Sequence, residues 1–372
     1  MADLLSGVNV VDCSSLIPGP LCSMMLRDLG ANVVRIESPK GDRLRFFGGK
    51  ETSPYFAVLN RGKRSVVLDL KEKKDRIAFW KIAKKADILI AGTRAKAAAQ
   101  LGLDYLSIKR LNRKIIYCSI TGYGLKGKQS GKAGHDLNYL ARSGMLSLLS
   151  KGQASVPRVQ LADLSAGTLA CSAILAALFS RERTGKGVCL DLSMADAASY
   201  LFGMYLSHDA LKGEEPYLTG GFPCYNIYET KDKRYVSLGA IESKFWQSFC
   251  NAVKRKDLLK RQFDDSIFEA MRTLFKGKSM DEWLKLNEKY DFCCEPVKKI
   301  ENVINEADLN KRRAIITIDG VTQAALPFAF SAFGRLKYSR PPKLGEHTKE
   351  ILLEIGYGKK DVNGLRKRKV IF

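Results

Sequence analysis

The chain has 372 residues, of which 45% are hydrophobic and 27% are charged, enough for one large or two medium globular domains. No apolar run approaches the roughly 18–20 residues that a membrane helix needs, so membrane insertion is not expected. The formal net charge of +23 favours anionic partners. The basic residues are spread in short clusters, as on a solvated surface, and no basic–aromatic motif for nucleic acid is present.

In the first half of the chain, apolar β-branched runs alternate with amphipathic stretches. The runs predict five strands, at residues 8–11, 33–36, 66–70, 88–90 and 115–120. Helices are predicted between some of these strands, at residues 20–29 and 74–85. Such alternation predicts an α/β fold, in which helices cover both faces of a parallel sheet.

A glycine-rich segment, residues 122–134, follows the fifth predicted strand. Glycine permits unusual backbone angles and a close approach of the backbone to a ligand. The segment begins with Gly122-Tyr123-Gly124-Leu125-Lys126-Gly127, which matches the G-x-G-x-x-G pattern of dinucleotide sites. A further loop follows instead of a helix, and no acidic residue stands about 20 positions on, so we reject a nicotinamide dinucleotide site.

Further elements are predicted beyond this segment. They are helices at residues 135–149 and 164–181, a strand at 188–192 and a helix at 195–206. The composition shifts after Gly220-Gly221, and two alternating runs then surround Lys231-Asp232-Lys233 as in a hairpin. The remaining predicted elements are strands at 225–230 and 234–240 and helices at 242–253, 266–275, 280–290 and 345–353. Residues 222–325 are therefore interpreted as a smaller α+β domain, flanked by linkers at 206–221 and 326–330.

The nine cysteines form no Cys-x-x-Cys pair, which suits buried thiols in a reducing compartment better than disulfides or a zinc site. The three histidines, His135, His208 and His347, are too far apart for a metal-ligand motif, so no metal is expected. The N-terminal residues lack the pattern of a secretory signal, and the last residues are not a peroxisomal address. We therefore expect a cytoplasmic location.

One histidine and one aspartate stand in informative surroundings. His135 lies in Gly134-His135-Asp136, and Asp163 directly precedes a long helical pattern. An imidazole and a carboxyl group that face one carbon can remove a proton from one side and add a proton to the other. Each residue also has a structural alternative. His135 can be an inert polar residue at a helix start, and Asp163 can be a helix N-cap.

Several further segments, taken in chain order, accompany this pair. They are Pro18-Gly19-Pro20, Leu29-Gly30-Ala31-Asn32-Val33-Val34-Arg35-Ile36-Glu37, Asn60-Arg61-Gly62-Lys63-Arg64-Ser65, Thr121-Gly122-Tyr123-Gly124, Ala133-Gly134-His135-Asp136-Leu137-Asn138-Tyr139, Leu161-Ala162-Asp163, Thr184-Gly185-Lys186-Gly187, Val236-Ser237-Leu238-Gly239-Ala240-Ile241-Glu242 and Gly345-Glu346-His347-Thr348. With these segments the chain resembles the family III CoA-transferase superfamily and, within it, the α-methylacyl-CoA racemases. The resemblance covers nearly the whole chain.

The resemblance implies a Rossmann-like large domain built from both chain ends, residues 1–205 and 331–372, with the small domain between them. It also implies an interlocked homodimer, in which the site lies between one subunit's large domain and the other subunit's small domain.

The resemblance also implies a role for Asp163, which matches both the transferase nucleophile and the racemase acid–base residue. The Gly-His-Asp-x-Asn-Tyr form around His135 is similar to the racemases, and Glu242 matches a racemase residue that assists this histidine. The implied activity is inversion of the α-carbon of 2-methyl-branched acyl-CoA thioesters, a reaction of lipid and fatty-acid metabolism that needs no cofactor. The alternative is transfer of CoA between carboxylic acids with Asp163 as the nucleophile.

Binding residues are predicted as well. Four cations are expected to contact the CoA phosphates through charge-assisted bonds, with surface salt bridges as the alternative: Arg61, Lys63, Arg64 and Arg94. Four further residues are expected to contact the substrate or its CoA part: Leu16, Gly134, Asp136 and Tyr139. Ser38, Ala91 and Thr219 depart from the racemase pattern, which leaves the details of CoA and substrate contact open.

One electrostatic question also stays open at this level. The N-terminus of a helix would lower the pKa of Asp163, whereas burial in an apolar cleft would raise it.

Overall fold

The computed structural model describes residues 4–49, 52–149, 155–206, 218–328, 330–331 and 336–358. The chain divides into two units. Unit 1 is Met1–Phe202 with Lys311–Phe372, and unit 2 is Gly203–Asn310.

Unit 1 is built on a six-stranded parallel sheet with the order β3-β2-β1-β4-β5-β6. Its strands are β1 (Asn9–Cys13), β2 (Asn32–Glu37), β3 (Arg64–Val67), β4 (Ile88–Ala91), β5 (Ile116–Thr121) and β6 (Val188–Ser193). Strands β2 and β3 follow β1 on one side of the sheet, and strands β4, β5 and β6 follow on the other side of β1. This is the Rossmann strand order, and the α/β prediction is confirmed.

Helices cover both faces of this sheet. They are α1 (Pro18–Asp28), α2 (Pro54–Leu59), α3 (Lys73–Lys84), α4 (Ala95–Leu101), α5 (Tyr105–Leu111), α6 (Asp136–Ser143), α7 (Met145–Leu149), α8 (Leu161–Thr184) and α9 (Met194–Leu201), with one more at the far end of the chain, described below as α15. Successive strand residues point to opposite faces, so Val10 packs with α1 and α8, whereas Val11 packs with α3 and α5. The sheet therefore separates two hydrophobic cores.

Helix α8 is the one helix in the described part of the chain that is long and apolar enough to cross a membrane by length and composition. The expectation that no run of this length exists is therefore wrong. Ala166, Ala170, Cys171 and Ile174 are buried in the core formed by α1 and the sheet. Packing inside the protein accounts for the apolar character of the helix, and length alone is weak support for a membrane span.

The helix predicted over residues 135–149 is broken in the structure. Gly144 adopts a φ of 89°, in the left-handed region that favours glycine, and so ends α6 before α7 begins. Two short helices consequently replace one long helix after the glycine-rich segment.

Unit 2 contains a three-stranded antiparallel sheet with the order β7-β8-β9. Its elements are β7 (Tyr225–Glu229), β8 (Tyr235–Gly239), α10 (Ser243–Ala252), α11 (Phe268–Lys276), α12 (Met280–Tyr290), β9 (Cys294–Pro296), α13 (Ile300–Val303) and α14, which begins at Ala307 and runs to Lys311. The predicted hairpin and its three following helices are present, and an aromatic core joins them through Trp246, Phe249, Phe275 and Trp283. Strand β9 was not predicted.

The boundary after unit 2 differs from the prediction. The hairpin of β10 (Ile315–Ile318) and β11 (Val321–Ala324) belongs to unit 1, as does α15 (Thr348–Glu354). The Arg61 guanidinium donates hydrogen bonds to the side chain of Gln323 and the carbonyl of Ala324. A small domain extending to residue 325 is therefore wrong, because the hairpin's packing partner is a distant residue that local sequence does not reveal.

Candidate active site

A cavity of about 480 Å³ lies at the carboxyl ends of β1, β4 and β5. Chain order in the sheet reverses between β1 and β4, and ligands of open α/β sheets bind in the crevice at such a reversal. Ser14 and Gly92 line the cavity just beyond β1 and β4, and Thr121 lines it at the end of β5. The fold thus places the cavity where a ligand site is expected.

His135 and Asp163 both line this cavity. His135 is exposed and occupies the N-cap position of α6, with extended backbone angles. Its backbone N–H donates to the side-chain oxygen of Asn138 at 3.0 Å, which fixes the turn into the helix. Asp163 is the third residue of α8 and is partly buried. The structure therefore brings the predicted acid–base pair together in one cavity.

Asp136 connects the two helices that carry this pair. Its Oδ1 atom accepts hydrogen bonds from the backbone N–H groups of Ala162 at 2.8 Å and Asp163 at 3.0 Å. These are among the N–H groups that lack a partner within α8, because a helix cannot satisfy its own first turn. The alternative role of Asp163 as the helix N-cap is therefore wrong: Asp136 from α6 supplies that function, and the Asp163 side chain lines the cavity.

The electrostatic question at Asp163 is resolved in favour of burial. Desolvation, followed by the negative charge of Asp136, raises the pKa of Asp163 to about 7. Burial also raises the pKa of Asp136, an effect that its two backbone N–H donors oppose. Asp163 can consequently accept or donate a proton near neutral pH, as a general acid–base residue requires.

Tyr139 shapes the wall of the cavity next to the pair. Its hydroxyl donates to the carbonyl of Gly134 at 2.6 Å. A Cβ atom at Gly122 or Gly134 would lie 2.6 or 2.7 Å from the tyrosine ring, so the ring occupies the space of a side chain at both positions. Burial and the charge of Asp163 raise the pKa of Tyr139 to about 12, which keeps the hydroxyl protonated. Gly134 and Tyr139 thus lie at the predicted site.

Leu16 lines the same cavity in the loop that follows β1. It has a φ of 66°, a conformation that costs a residue with a side chain about 1–3 kcal/mol. A hydrogen bond stabilises the start of this loop, because Asp12 accepts from the backbone N–H of Ser14 at 3.0 Å. Both Leu16 and Asp136 therefore lie where binding residues were predicted.

Three cations line the cavity. Arg94, which was predicted, stands just after β4, and it is joined by Arg43 and Lys132, which sequence reasoning missed. All three are exposed, so they can reach a ligand at the cavity mouth. Lys132 could have been found from its place in the glycine-rich segment, whereas Arg43 lies in a loop after β2 that carries no comparable signal.

Arg61 does not line the cavity. The residue is 1% exposed, and its guanidinium forms an ion pair with Asp28, with 2.5 Å between Nη2 and Oδ2. Because Gln323 and Ala324 accept from the same guanidinium, its donors are occupied inside unit 1. The predicted CoA contact of Arg61 is therefore wrong.

Lys63 is also buried. Its Nζ atom lies 3.2 Å from Asp12, 2.7 Å from the hydroxyl of Ser23 and 3.0 Å from the side-chain oxygen of Asn60. Desolvation lowers the pKa of Lys63 to about 8, against the opposing attraction of Asp12. The buried ion pair stabilises the base of the β1 loop, and the predicted contact with a CoA phosphate is wrong for this residue as well.

Arg64 and Glu242 lie outside this cavity. Arg64 forms ion pairs of 2.9 and 2.6 Å with Glu350 and Glu354, carboxylates on α15, so the salt-bridge alternative applies to it. Glu242 stands at the N-cap position of α10 in unit 2, and its assistance to His135 stays a prediction.

A second cavity, of about 290 Å³, adjoins the first, because Ser14 and Ser15 line both. It lies at the carboxyl ends of β2 and β3, where Ser38 and Lys71 form part of its lining. Among the residues that the structure describes, no three histidine, cysteine, aspartate or glutamate side chains form a group suited to a metal ion. The two cavities thus form one continuous depression on unit 1.

These features define a Rossmann-type α/β protein whose cavity at the topological switch point is lined by a histidine and by an aspartate of raised pKa. The sequence model of CoA-transferase family III matches residues 5–348, and the chain belongs to this family.

Two characterised relatives and one solved structure resemble the chain over nearly its full length. It is 34% identical to the alpha-methylacyl-CoA racemase of Homo sapiens over 99% of this chain and 97% of that protein. It is 30% identical to the (R)-2-hydroxy-4-methylpentanoate CoA-transferase of Clostridioides difficile over 99% of both chains. A CAIB/BAIF family protein from Brucella suis superposes with a TM-score of 0.86 at 27% identity, covering 95% of this chain and 100% of that one. Racemases and CoA-transferases are thus both among the similar proteins.

Proposed function

We propose that this protein inverts the configuration at the α-carbon of 2-methyl-branched acyl-CoA thioesters. The observation that carries the proposal is the pair of His135 and Asp163 on one cavity, with burial and Asp136 raising the pKa of Asp163 to about 7. Inversion requires a proton acceptor on one side of the carbon and a proton donor on the other. A carboxyl group that titrates near neutral pH can fill either role.

The reaction transfers one proton in each half. Neutral His135 takes the α-proton from one enantiomer, and the bonding electrons move to the thioester carbonyl, which becomes an enolate oxygen. Protonated Asp163 then donates its proton to the opposite face of the same carbon, so the carbonyl re-forms with inverted configuration. Turnover in the other direction begins with His135 protonated and Asp163 ionised. One proton is therefore shared across the pair.

The enolate needs hydrogen-bond donors. The first N–H groups of a helix lack partners inside it, and Asp136, the first residue of α6, lines the cavity. One preorganised donor of this kind contributes about 3–4 kcal/mol to the stabilisation of a developing oxyanion. We assign the backbone at the start of α6 to this role.

The CoA part of the substrate would extend along the two adjoining cavities. Arg43, Arg94 and Lys132 would bind its phosphates, because guanidinium and ammonium groups form charge-assisted hydrogen bonds with phosphate oxygens. The nucleotide end would occupy the smaller cavity beyond Ser14 and Ser15. The CoA belongs to the substrate, and the proposed proton chemistry needs no additional cofactor.

The second candidate is CoA transfer between carboxylic acids. In that reaction the ionised carboxylate of Asp163 would attack the thioester and release the CoA thiolate, which would open the resulting anhydride at the Asp163 carbonyl, so that the donor acid leaves and an aspartyl-CoA thioester remains. The acceptor carboxylate would attack this thioester, and the released thiolate would open the second anhydride at the acceptor's carbonyl, which gives the new acyl-CoA and restores Asp163. The observation that favours it is the likeness to the CoA-transferase of Clostridioides difficile. A pKa of about 7 leaves a substantial fraction of Asp163 ionised at neutral pH, so this route needs a direct test.

Deuterium incorporation separates the two candidates. Racemisation predicts that the α-hydrogen of 2-methylacyl-CoA exchanges with D₂O without an acceptor acid, and that His135→Ala and Asp163→Asn each abolish inversion of configuration. Transfer predicts instead that labelled CoA moves to a free acid and that hydroxylamine converts the activated carboxyl group of Asp163 into a hydroxamate. Absence of α-exchange across a panel of short, long and bulky 2-methylacyl thioesters would rule out the racemase proposal.

We further propose, from the family, an interlocked homodimer that acts in fatty-acid metabolism in the cytoplasm. In this assembly Glu242 of the small domain would assist His135 of the partner. Light scattering of the purified protein measures the oligomeric state. Mixed dimers of His135→Ala and Glu242→Ala chains would regain activity if the two residues meet across subunits, and would stay inactive otherwise.

A further inference from the structure

We propose that Asp136 is a positioning residue, which ties the start of α8 to the start of α6 and through its negative charge disfavours the ionised form of Asp163. This inference deepens the proposed function and rests on it for its catalytic consequence. Asp136 follows His135 directly in the chain, and its Oδ1 atom accepts from the backbone N–H of Asp163 at 3.0 Å. One carboxylate therefore links both members of the acid–base pair.

The geometry gives this carboxylate two separate effects. Its hydrogen bonds with the N–H groups of Ala162 and Asp163 hold the first turn of α8 against α6. Its charge, placed beside the Asp163 carboxyl, makes a second negative charge unfavourable. The Asp136 carboxylate also interacts with the positive end of the α8 dipole. Without Asp136, this positive end would favour the ionised form of Asp163.

Other groups face Asp163 as well. The titratable and charged side chains on the same cavity are His135, Asp136, Tyr139, Arg43, Arg94 and Lys132. Tyr139 stays neutral, and the three cations are exposed at the cavity, where solvent screens them. After burial, the charge of Asp136 is the remaining influence that raises the pKa of Asp163.

The substitution Asp136→Asn isolates the charge, because the amide oxygen can still accept from both backbone N–H groups. The direct readout is the titration of the Asp163 carboxyl carbon by NMR in ¹³C-labelled protein, with the resonance assigned by its loss in Asp163→Asn. We expect the midpoint of Asp163 to fall in Asp136→Asn. An unchanged or higher midpoint would overturn the proposal. If Asp136→Asn does not fold, Asp136→Ser, whose hydroxyl can also cap a helix, takes its place in the same titration.

Asp104→Asn is the matched control. Asp104 accepts from the backbone N–H of Ser107 at 3.1 Å and so caps α5, but it does not line the cavity. Its substitution is expected to leave the titration of Asp163 unchanged. A shift as large as that of Asp136→Asn would show a general effect of removing charge and would contradict the proposal.

The catalytic readout is the pH profile of deuterium exchange. The rate requires one proton across the pair, so a lower Asp163 pKa moves the alkaline limb of the kcat profile to lower pH. Asp136→Ala, which also releases α8, is expected to lose up to about a hundredfold in kcat. Failure of wild-type exchange would refute the proposed function alone, because the NMR titration still decides the part played by Asp136.

Discussion

Replacing Asp163 with asparagine is expected to stabilise the folded protein while it removes activity. Burial and the charge of Asp136 raise the pKa of the Asp163 carboxyl in the folded state to about 7, from an ordinary value of 3.8 for an aspartate. A carboxyl group whose pKa is raised in the folded state lowers the free energy of unfolding at each pH where the same group is ionised in the unfolded chain. The reason is that the folded state disfavours that ionisation. Asparagine has a similar shape and carries no proton that titrates, so it escapes this cost.

The sign and size follow from proton linkage. Below pH 3.8 the carboxyl is protonated in both states, and no cost arises. Between pH 3.8 and about 7 the unfolded chain is ionised first, and wild-type stability falls by about 1.4 kcal/mol per pH unit relative to the variant. Above pH 7 the difference levels off, at no more than about 4 kcal/mol because the carboxyl is only partly buried.

Urea denaturation of both proteins at fixed concentration, from pH 4 to pH 8, measures this difference. The advantage of Asp163→Asn should grow with pH and reach a plateau near pH 7. A difference that stays constant over this range would refute the raised pKa on which the acid–base role depends. Asp104→Asn should have the opposite effect and lower the free energy of unfolding. Burial would raise the pKa of Asp104, but hydrogen bonds from Ser107 outweigh burial and lower it. The ionised form of Asp104 therefore stabilises the folded protein at pH values above the pKa of the unfolded state.

Three further outcomes are expected. Thr121→Val should stabilise the fold by about 1 kcal/mol in urea denaturation, because its hydroxyl is buried and has no hydrogen-bond partner among the residues that the structure describes; a loss of stability would contradict this. Lys63→Met should lower the free energy of unfolding by about 3–5 kcal/mol, because it removes a buried cation that pairs with Asp12. An unchanged free energy of unfolding would show that the Lys63 ammonium does not stabilise the fold. Arg94→Ala should raise KM for acyl-CoA about five- to tenfold with little change in kcat, as expected for the loss of a roughly 1 kcal/mol phosphate contact. Arg64→Ala, the control, should leave KM unchanged because its partners lie on α15.

Much of the fold could be predicted from local patterns. Runs such as the one around Val33 and Ile36 are buried on both faces of a parallel sheet, so they appear in the sequence as continuous apolar segments. The amphipathic helices between them follow from the same logic. The placement of the β10–β11 hairpin could not be predicted, because it depends on Arg61, a partner far away in the chain. The break at Gly144 is instead local, set by the left-handed backbone conformation of one glycine, and the prediction missed it.

The candidate site was predicted unevenly for the same reason. Motif and resemblance identified His135 and Asp163, and the structure brings both to one cavity. They misassigned Arg61 and Lys63, whose charges look available in a sequence but are bound to Asp28 and Asp12 in the interior. Charge is a property of the residue type, whereas the availability of that charge depends on what the fold places beside it.

The amino-acid sequence by itself determined the alternation of strands and helices and the chemical groups that the protein can use. Only the tertiary structure decided that Asp136 caps α8, which releases Asp163 from the role its position in the chain suggests. Hydrogen bonding along the chain is local and can be read from spacing. Burial and the field of a neighbouring charge depend on three-dimensional packing, and these two influences set the proton affinity of Asp163.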